Sequence, residues 1–207
     1  WIIFGRRLRF QKEPMEPHNV PFVVLGAALL WFGWFGFNAG SALAANGTAV
    51  NAFVVTNTAA AAAMISWVGM SWTFSKKPSI IGAASGAVAG LVAITPAAGF
   101  VGVLPALVIG IGAGVFCYLA IELLQKLRID DALAVFGVHG IGGTWGAIAT
   151  GLFAGIGYGA LAEGMSRGEQ ILEQIIGVLV TYVFSFVMTL IIFLAIKYSV
   201  RQKNNLN

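Results

Sequence analysis

Long stretches of the chain carry no formal charge. Between Pro17 and Ser75 there is no Asp, Glu, Lys or Arg, and the same holds from Pro78 to Ile121, Ala132 to Ala162 and Gln174 to Ile196. Each run can supply one or two helices of the ~20 residues that cross a ~30 Å hydrocarbon core. Polar breaks subdivide the runs. "ANGT" at 45–48, with its Asn-Gly turn dipeptide, predicts spans over about residues 21–44 and 50–72. "SKKPS" at 75–79 ends the second, and "TPAAG" at 95–99 separates spans over about 80–94 and 101–124. A fifth is predicted over about 132–153 and a sixth over about 172–198. Stretches such as "AALLWFGWFG" and "TLIIFLAI" do not alternate apolar and polar residues, which argues against a transmembrane β-barrel. The pattern therefore predicts an all-α integral membrane protein with six complete transmembrane helices.

Composition supports that class and adds a direction. The chain is 58% hydrophobic and 10% charged, where a soluble domain carries about 25% charged residues. Its net charge of +4 would suggest nucleic acid in a soluble protein. In a membrane chain, however, Lys and Arg mark the cytoplasmic side, so the expectation is no nucleic-acid partner. Alternating sides from a cytoplasmic first loop puts eleven of the twelve basic residues on one side, leaving only Arg167 outside. Both ends are then cytoplasmic. "WIIF" at 1–4 reads as the last turn of a preceding helix, so residues 1–20 are that end plus a cytoplasmic loop. Residues 21–154 hold five transmembrane helices, 155–171 an extracytoplasmic loop, 172–198 the last helix and 199–207 a cytoplasmic tail. One cysteine, Cys117, excludes an intramolecular disulfide and reads as a small buried hydrophobe.

Small residues recur at four-residue spacing: Gly36/Gly40, Gly82/Gly86/Gly90, Gly110/Gly114 and Gly142/Gly146. Such faces let helix backbones approach closely in lipid. "GIGGTWG" lacks the Lys-Ser/Thr of a phosphate loop and reads as packing too.

Few residues in the spans can do chemistry. His139 falls about 12 Å along a helix starting near Asp131, close to the bilayer middle. A polar group there faces either the bundle interior or a pathway; depth alone leaves packing and function equally open. Trp34, Phe37 and Ser41 stand at i, i+3 and i+7, on one face near the outer end of the first span. That face fits cation binding by ring quadrupoles and one hydroxyl. By itself the stripe fits better an interfacial aromatic belt with Ser41 bonding its own helix. Asp130 and Asp131, beside Lys126 and Arg128, read as helix-capping groups. Asn57 and Thr58 read as interhelical hydrogen-bond donors, His18 as a solvated loop residue, and "NGT" at 46–48 as a weak glycosylation motif. No paired carboxylates, HExxH or nucleophile–histidine arrangement occurs, so neither an enzyme, a protein-built metal site nor a cofactor is expected.

"FGVHGIGGTWGAIATGLFA", "WFGWFGFNAGSA" and "KPSIIGAASGAVAGLVAITPAAGFV" resemble the most specific motifs of the ammonium transporter (Amt/Mep/Rh) family. The resemblance runs from about Pro17 to Tyr198, and the Trp34 and Ser41 positions are similar to the Amt/Mep branch. It implies an eleven-helix fold of two inverted five-helix repeats and a last helix, in a homotrimer with one pore per subunit. This chain would supply the second repeat and the last helix, and so only half a pore. By motif, Ser41 would belong to the outer ammonium site, Phe37 to a phenylalanine gate, and Trp34 to the pore lining. His139 would be one of twin pore histidines. Ala134 stands where many bacterial members carry an acid. The implied mechanism is ammonium recruitment at the outer mouth of a cell-membrane protein, deprotonation, and passage of ammonia along the histidines. The implied partners are ammonium or ammonia, the bilayer, two further copies and a PII-type regulator on the cytoplasmic face. An ammonium sensor with the same outer site and little transport is the alternative. A fragment kept only for packing would tolerate apolar residues at His139 and Ser41.

Overall fold

A computed structural model describes residues 3, 5–7, 10–12 and 17–204, with side chains through Ser199. The expected helix end at 1–4, apart from Ile3, and residues 205–207 of the tail lie outside the described residues. The described residues form six α-helices and no strand. These are α1 (Val20–Gly40), α2 (Gly47–Ser75), α3 (Ile80–Ile94), α4 (Val103–Lys126), α5 (Ile141–Phe153) and α6 (Arg167–Asn204). A five-residue π-helical segment, Phe136–Gly140, runs directly into α5.

Local chemistry sets the starts. Asn19, Asn46 and Ser79 each accept a hydrogen bond from a first-turn N–H, of Phe22, Ala49 and Gly82 respectively. Asn46, the Asn of the glycosylation motif, is thus occupied as a cap. Ser166 and Glu169 cap α6 reciprocally: the Ser166 N–H and hydroxyl donate to Glu169 Oε2 at 2.8 and 2.7 Å. Helices α1, α2, α4 and the Arg167–Ser199 part of α6 are long and apolar enough to cross a bilayer. α3 has 15 residues and is followed by the turn that contains Pro96.

Helices α2, α3 and α4 make the core, and glycine lets them close. A Cβ on Gly90 of α3 would lie 2.5 Å from the Ala59 carbonyl of α2, and one on Gly110 of α4 would run into the same carbonyl. Both helices therefore press on one spot of α2, around which Val55, Ala59 and Ala63 are fully buried. Gly36 and Gly40 of α1, expected to pack likewise, have no neighbour within 4 Å. Among the described residues α1 packs on α2 and α3, and α6 packs mainly on α5, so both present broad apolar faces. The loops pair end to end. Thr48 meets Tyr158 at 3.0 Å, and the Asn51 amide donates to the Ala98 and Val101 carbonyls at one end. Arg7 meets Asp130 at the other.

Candidate functional site

Three of the four expected site residues lie together on α1. The Trp34 indole Nε1 donates to Thr95 Oγ1 at 2.7 Å, and that hydroxyl donates onward to the Leu91 carbonyl at 2.7 Å. Thr95, at the C-terminal end of α3, thereby fixes the plane of Trp34. Phe37 meets Trp34 edge to face, centroids 5.9 Å apart at 76°, and is 61% exposed. Ser41 donates its hydroxyl to the Phe37 carbonyl at 2.6 Å, the own-helix bond that the sequence allowed. Its proton is therefore committed inward, and the exposed oxygen keeps its acceptor lone pairs. A small cation that only donates can use such an acceptor beside aromatic faces.

His139 is not part of that group. It lies in the π segment, and α3 packs against both that segment and α1, which do not touch each other among the described residues. The imidazole is exposed, and none of the described residues hydrogen-bonds it. The helix was expected to begin near Asp131; instead it begins five residues later, in π geometry. Asp131 reaches forward to cap it, accepting from the Val135 N–H at 2.8 Å and the Gly137 N–H at 3.0 Å. Ala134, just before it, is left-handed at φ 53°, a conformation in which Asp or Asn is more at ease than Ala. Single π turns of this kind recur at functional sites.

Other expectations need correcting. Of the two carboxylates read as caps, Asp131 caps and Asp130 does not: it holds Arg7, accepting from its backbone N–H at 2.8 Å and its Nε at 2.7 Å, with Nη2 2.5 Å away. That side-chain hydrogen bond keeps the carboxyl below the usual carboxylate range. Thr58 bonds its own helix at Val54, and Asn57 is exposed. An interhelical bond comes instead from Asn38, which is buried and donates to Thr56 at 2.9 Å between α1 and α2, while Asn51 ties α2 to the turn between α3 and α4. Cys117 is buried, its thiol donating to the Val138 carbonyl at 3.7 Å.

A bundle of apolar helices, carrying an aromatic-and-hydroxyl cluster at the end of α1 and an exposed imidazole in the π segment before α5, defines a multi-pass membrane protein. A sequence model described as the Ammonium Transporter Family matches residues 1–204. An ammonium transporter of Bacillus subtilis is 52% identical over 195 residues, covering 92% of this chain and 48% of the relative. Among solved structures, a sensor Amt protein aligns with TM-score 0.86 and 35% identity, over 95% of this chain and 50% of that one. Candida albicans Mep2 aligns with TM-score 0.79 and 38% identity, over 87% and 41%. The chain belongs to the ammonium transporter family, and it spans about half the length of the curated relatives it matches.

Proposed function

We propose that this chain supplies the second half of a conduction path for ammonia in a multi-pass ammonium transporter. The observation that carries the reading is His139: an exposed imidazole that none of the described residues hydrogen-bonds, in a chain of this family. Moving an unpaired cation through such a pore costs many kcal/mol, whereas ammonia needs only a group that donates and accepts. Ser41, with Trp34 and Phe37, is the receiving end on this reading: its oxygen accepts from ammonium, Phe37 closes the mouth, and Trp34 lines the path. Deprotonation at the mouth then sends the proton across by a route of its own, so that a net charge moves, while the ammonia passes His139. The family resemblance supports a homotrimer, a cell-membrane location and a PII-type regulator on the basic face. The placement of eleven basic residues supports a cytoplasmic C-terminus.

An ammonium pulse on proteoliposomes of the full-length parent tests the reading. The parent is expected to pass a current that His139→Ala reduces about tenfold or changes in selectivity, about 1.4 kcal/mol in the barrier. An unchanged current in the variant returns His139 to packing. One observation favours the sensor reading: the likeness to a sensor Amt protein at TM-score 0.86. That reading requires a folded parent that binds ammonium, weakened by Ser41→Ala, with no charge movement.

A further inference from the structure

The turn that carries His139 is braced from the last helix. Its geometry is forced at both sides. A Cβ on Gly137 would lie 2.5 Å from Ile121 of α4, and one on Gly146 would run into the Ala93 carbonyl of α3. Gly137, inside the π segment, and Gly146, after it, are both seated, so the present register of the segment serves both contacts. One extra residue in a turn rotates the chain before it by about 100° relative to the helix after it. Relaxing the segment to a regular α-helix would unseat one glycine or swing His139 off its present face.

Tyr182 of α6 touches the segment at both ends. Its ring lies 6.4 Å from that of Phe136, the first π residue, tilted at 54°. Its hydroxyl donates to the carbonyl of Gly140, the last π residue and the neighbour of His139, at 3.1 Å. The Thr144 hydroxyl donates to the same carbonyl at 2.7 Å, and the two hydroxyls are 2.8 Å apart. Three contacts thus share two protons, so the bonds can exchange while the Gly140 carbonyl always keeps at least one hydroxyl donor. Away from water, a tyrosine hydroxyl takes such a partner and an irregular carbonyl needs one. Nothing else on α6 reaches the π segment through a hydrogen bond among the described residues.

From this we infer that Tyr182 is a positioning residue for His139, acting with Thr144 through the Gly140 carbonyl. The inference rests on the transport reading for its consequence and on the hydroxyl cluster for its geometry. Removing the hydroxyls frees the carbonyl and lets the segment change register, so the imidazole no longer presents the same nitrogen to the path.

The test compares the full-length parent, Tyr182→Phe, Thr144→Val and the double variant in proteoliposomes. Two readouts are taken: ammonium flux against concentration, and the rate at which diethyl pyrocarbonate modifies His139, read by peptide mass. The double variant is expected to lose about tenfold in maximal flux with its half-saturation within about twofold, and to change the His139 modification rate at least about threefold. Tyr182→Phe, which keeps the ring and its packing, is expected to move both readouts the same way by a smaller factor. Slower flux with an unchanged modification rate overturns the inference, as does parental behaviour in both. If the parent carries no flux, the transport reading falls on its own. The modification rate then decides alone: changed in Tyr182→Phe upholds the brace, unchanged overturns it.

Discussion

Gly146 shows how little room single positions have in this bundle. The methyl of Gly146→Ala would meet the Ala93 carbonyl, a backbone atom that cannot turn aside as a flexible side-chain end would. Three residues earlier on α5, a methyl on Gly143 would find its nearest neighbour, Val92 Cγ1, at 4.0 Å, an ordinary contact. Gly146→Ala is expected to destabilise by about 1–3 kcal/mol through overpacking. Gly143→Ala is expected to be neutral or slightly stabilising, because alanine is the better helix former by up to ~1 kcal/mol. Thermal unfolding of the two variants in detergent, side by side, checks the contrast. Equal losses would mean that close approach of α3 and α5 is not what Gly146 provides. Spacing of small residues in the sequence pointed to Gly142 and Gly146 together, yet only the tertiary partner distinguishes them. A methyl on Gly142 would meet the Cys117 sulfur at 3.1 Å, a softer obstacle.

Among the elements, the segment around Arg7 is tied to the loop between α4 and the π segment by one carboxylate 123 residues away. The Arg7 hydrogen bond depresses the Asp130 pKa, so the tie is complete above the unfolded value and is lost as pH falls through the folded one. The Arg7 amide is therefore expected to stay protected from hydrogen exchange at neutral pH and to lose protection only below about pH 4. Asp130→Asn should show the weaker protection wherever the parent is still protected, and a parent that loses protection above about pH 4, as an unshifted carboxylate would, would contradict the assignment. Partnerships of this range explain what was legible in the chain. α3 could be bounded at Ile80 and Ile94 because Pro78, Ser79 and the Thr95-Pro96 turn are local signals. Asn19 and Asn46 announce their helices in the same way. The aromatic face of α1 follows from spacing alone. The π segment does not, because the contacts of Gly137 and Gly146 are with residues of α4 and α3 far along the chain, and the sequence there reads as a continuous span from 132. The partners of Asp130 and of the Gly140 carbonyl are likewise set by the fold, not by neighbours in the chain.

For the whole molecule, the strongest constraint is which loops share an end. The loops that close α1 to α2, α3 to α4 and α5 to α6 touch one another: Thr48 meets Tyr158, and the Gly102 N–H donates to the Ile156 carbonyl at 2.9 Å. At the opposite end Arg7 meets Asp130 and the Gln11 amide donates to the Gln125 carbonyl at 2.6 Å. Helix direction therefore alternates across six elements, and the shorter α3 must reach the same ends as its longer neighbours. What remains is which end faces the cytoplasm; on the proposed reading it is the basic end, since Arg167 alone of the twelve basic residues stands at the Tyr158 end. Even this cation is occupied, donating to the Leu152 and Ala154 carbonyls at 2.9 and 2.8 Å, where it neutralises the negative end of α5. It contributes no free positive charge that would compete with the basic end. In a full-length parent freed of other cysteines, Glu163→Cys is therefore expected to react with a membrane-impermeant maleimide on intact cells. Lys77→Cys, equally exposed in the α2–α3 loop, should react only after the membrane is opened. Labelling of Lys77→Cys on intact cells would invert the topology. It would also place Ser41 and Phe37 at the inner mouth, so that ammonium could not be received there from outside.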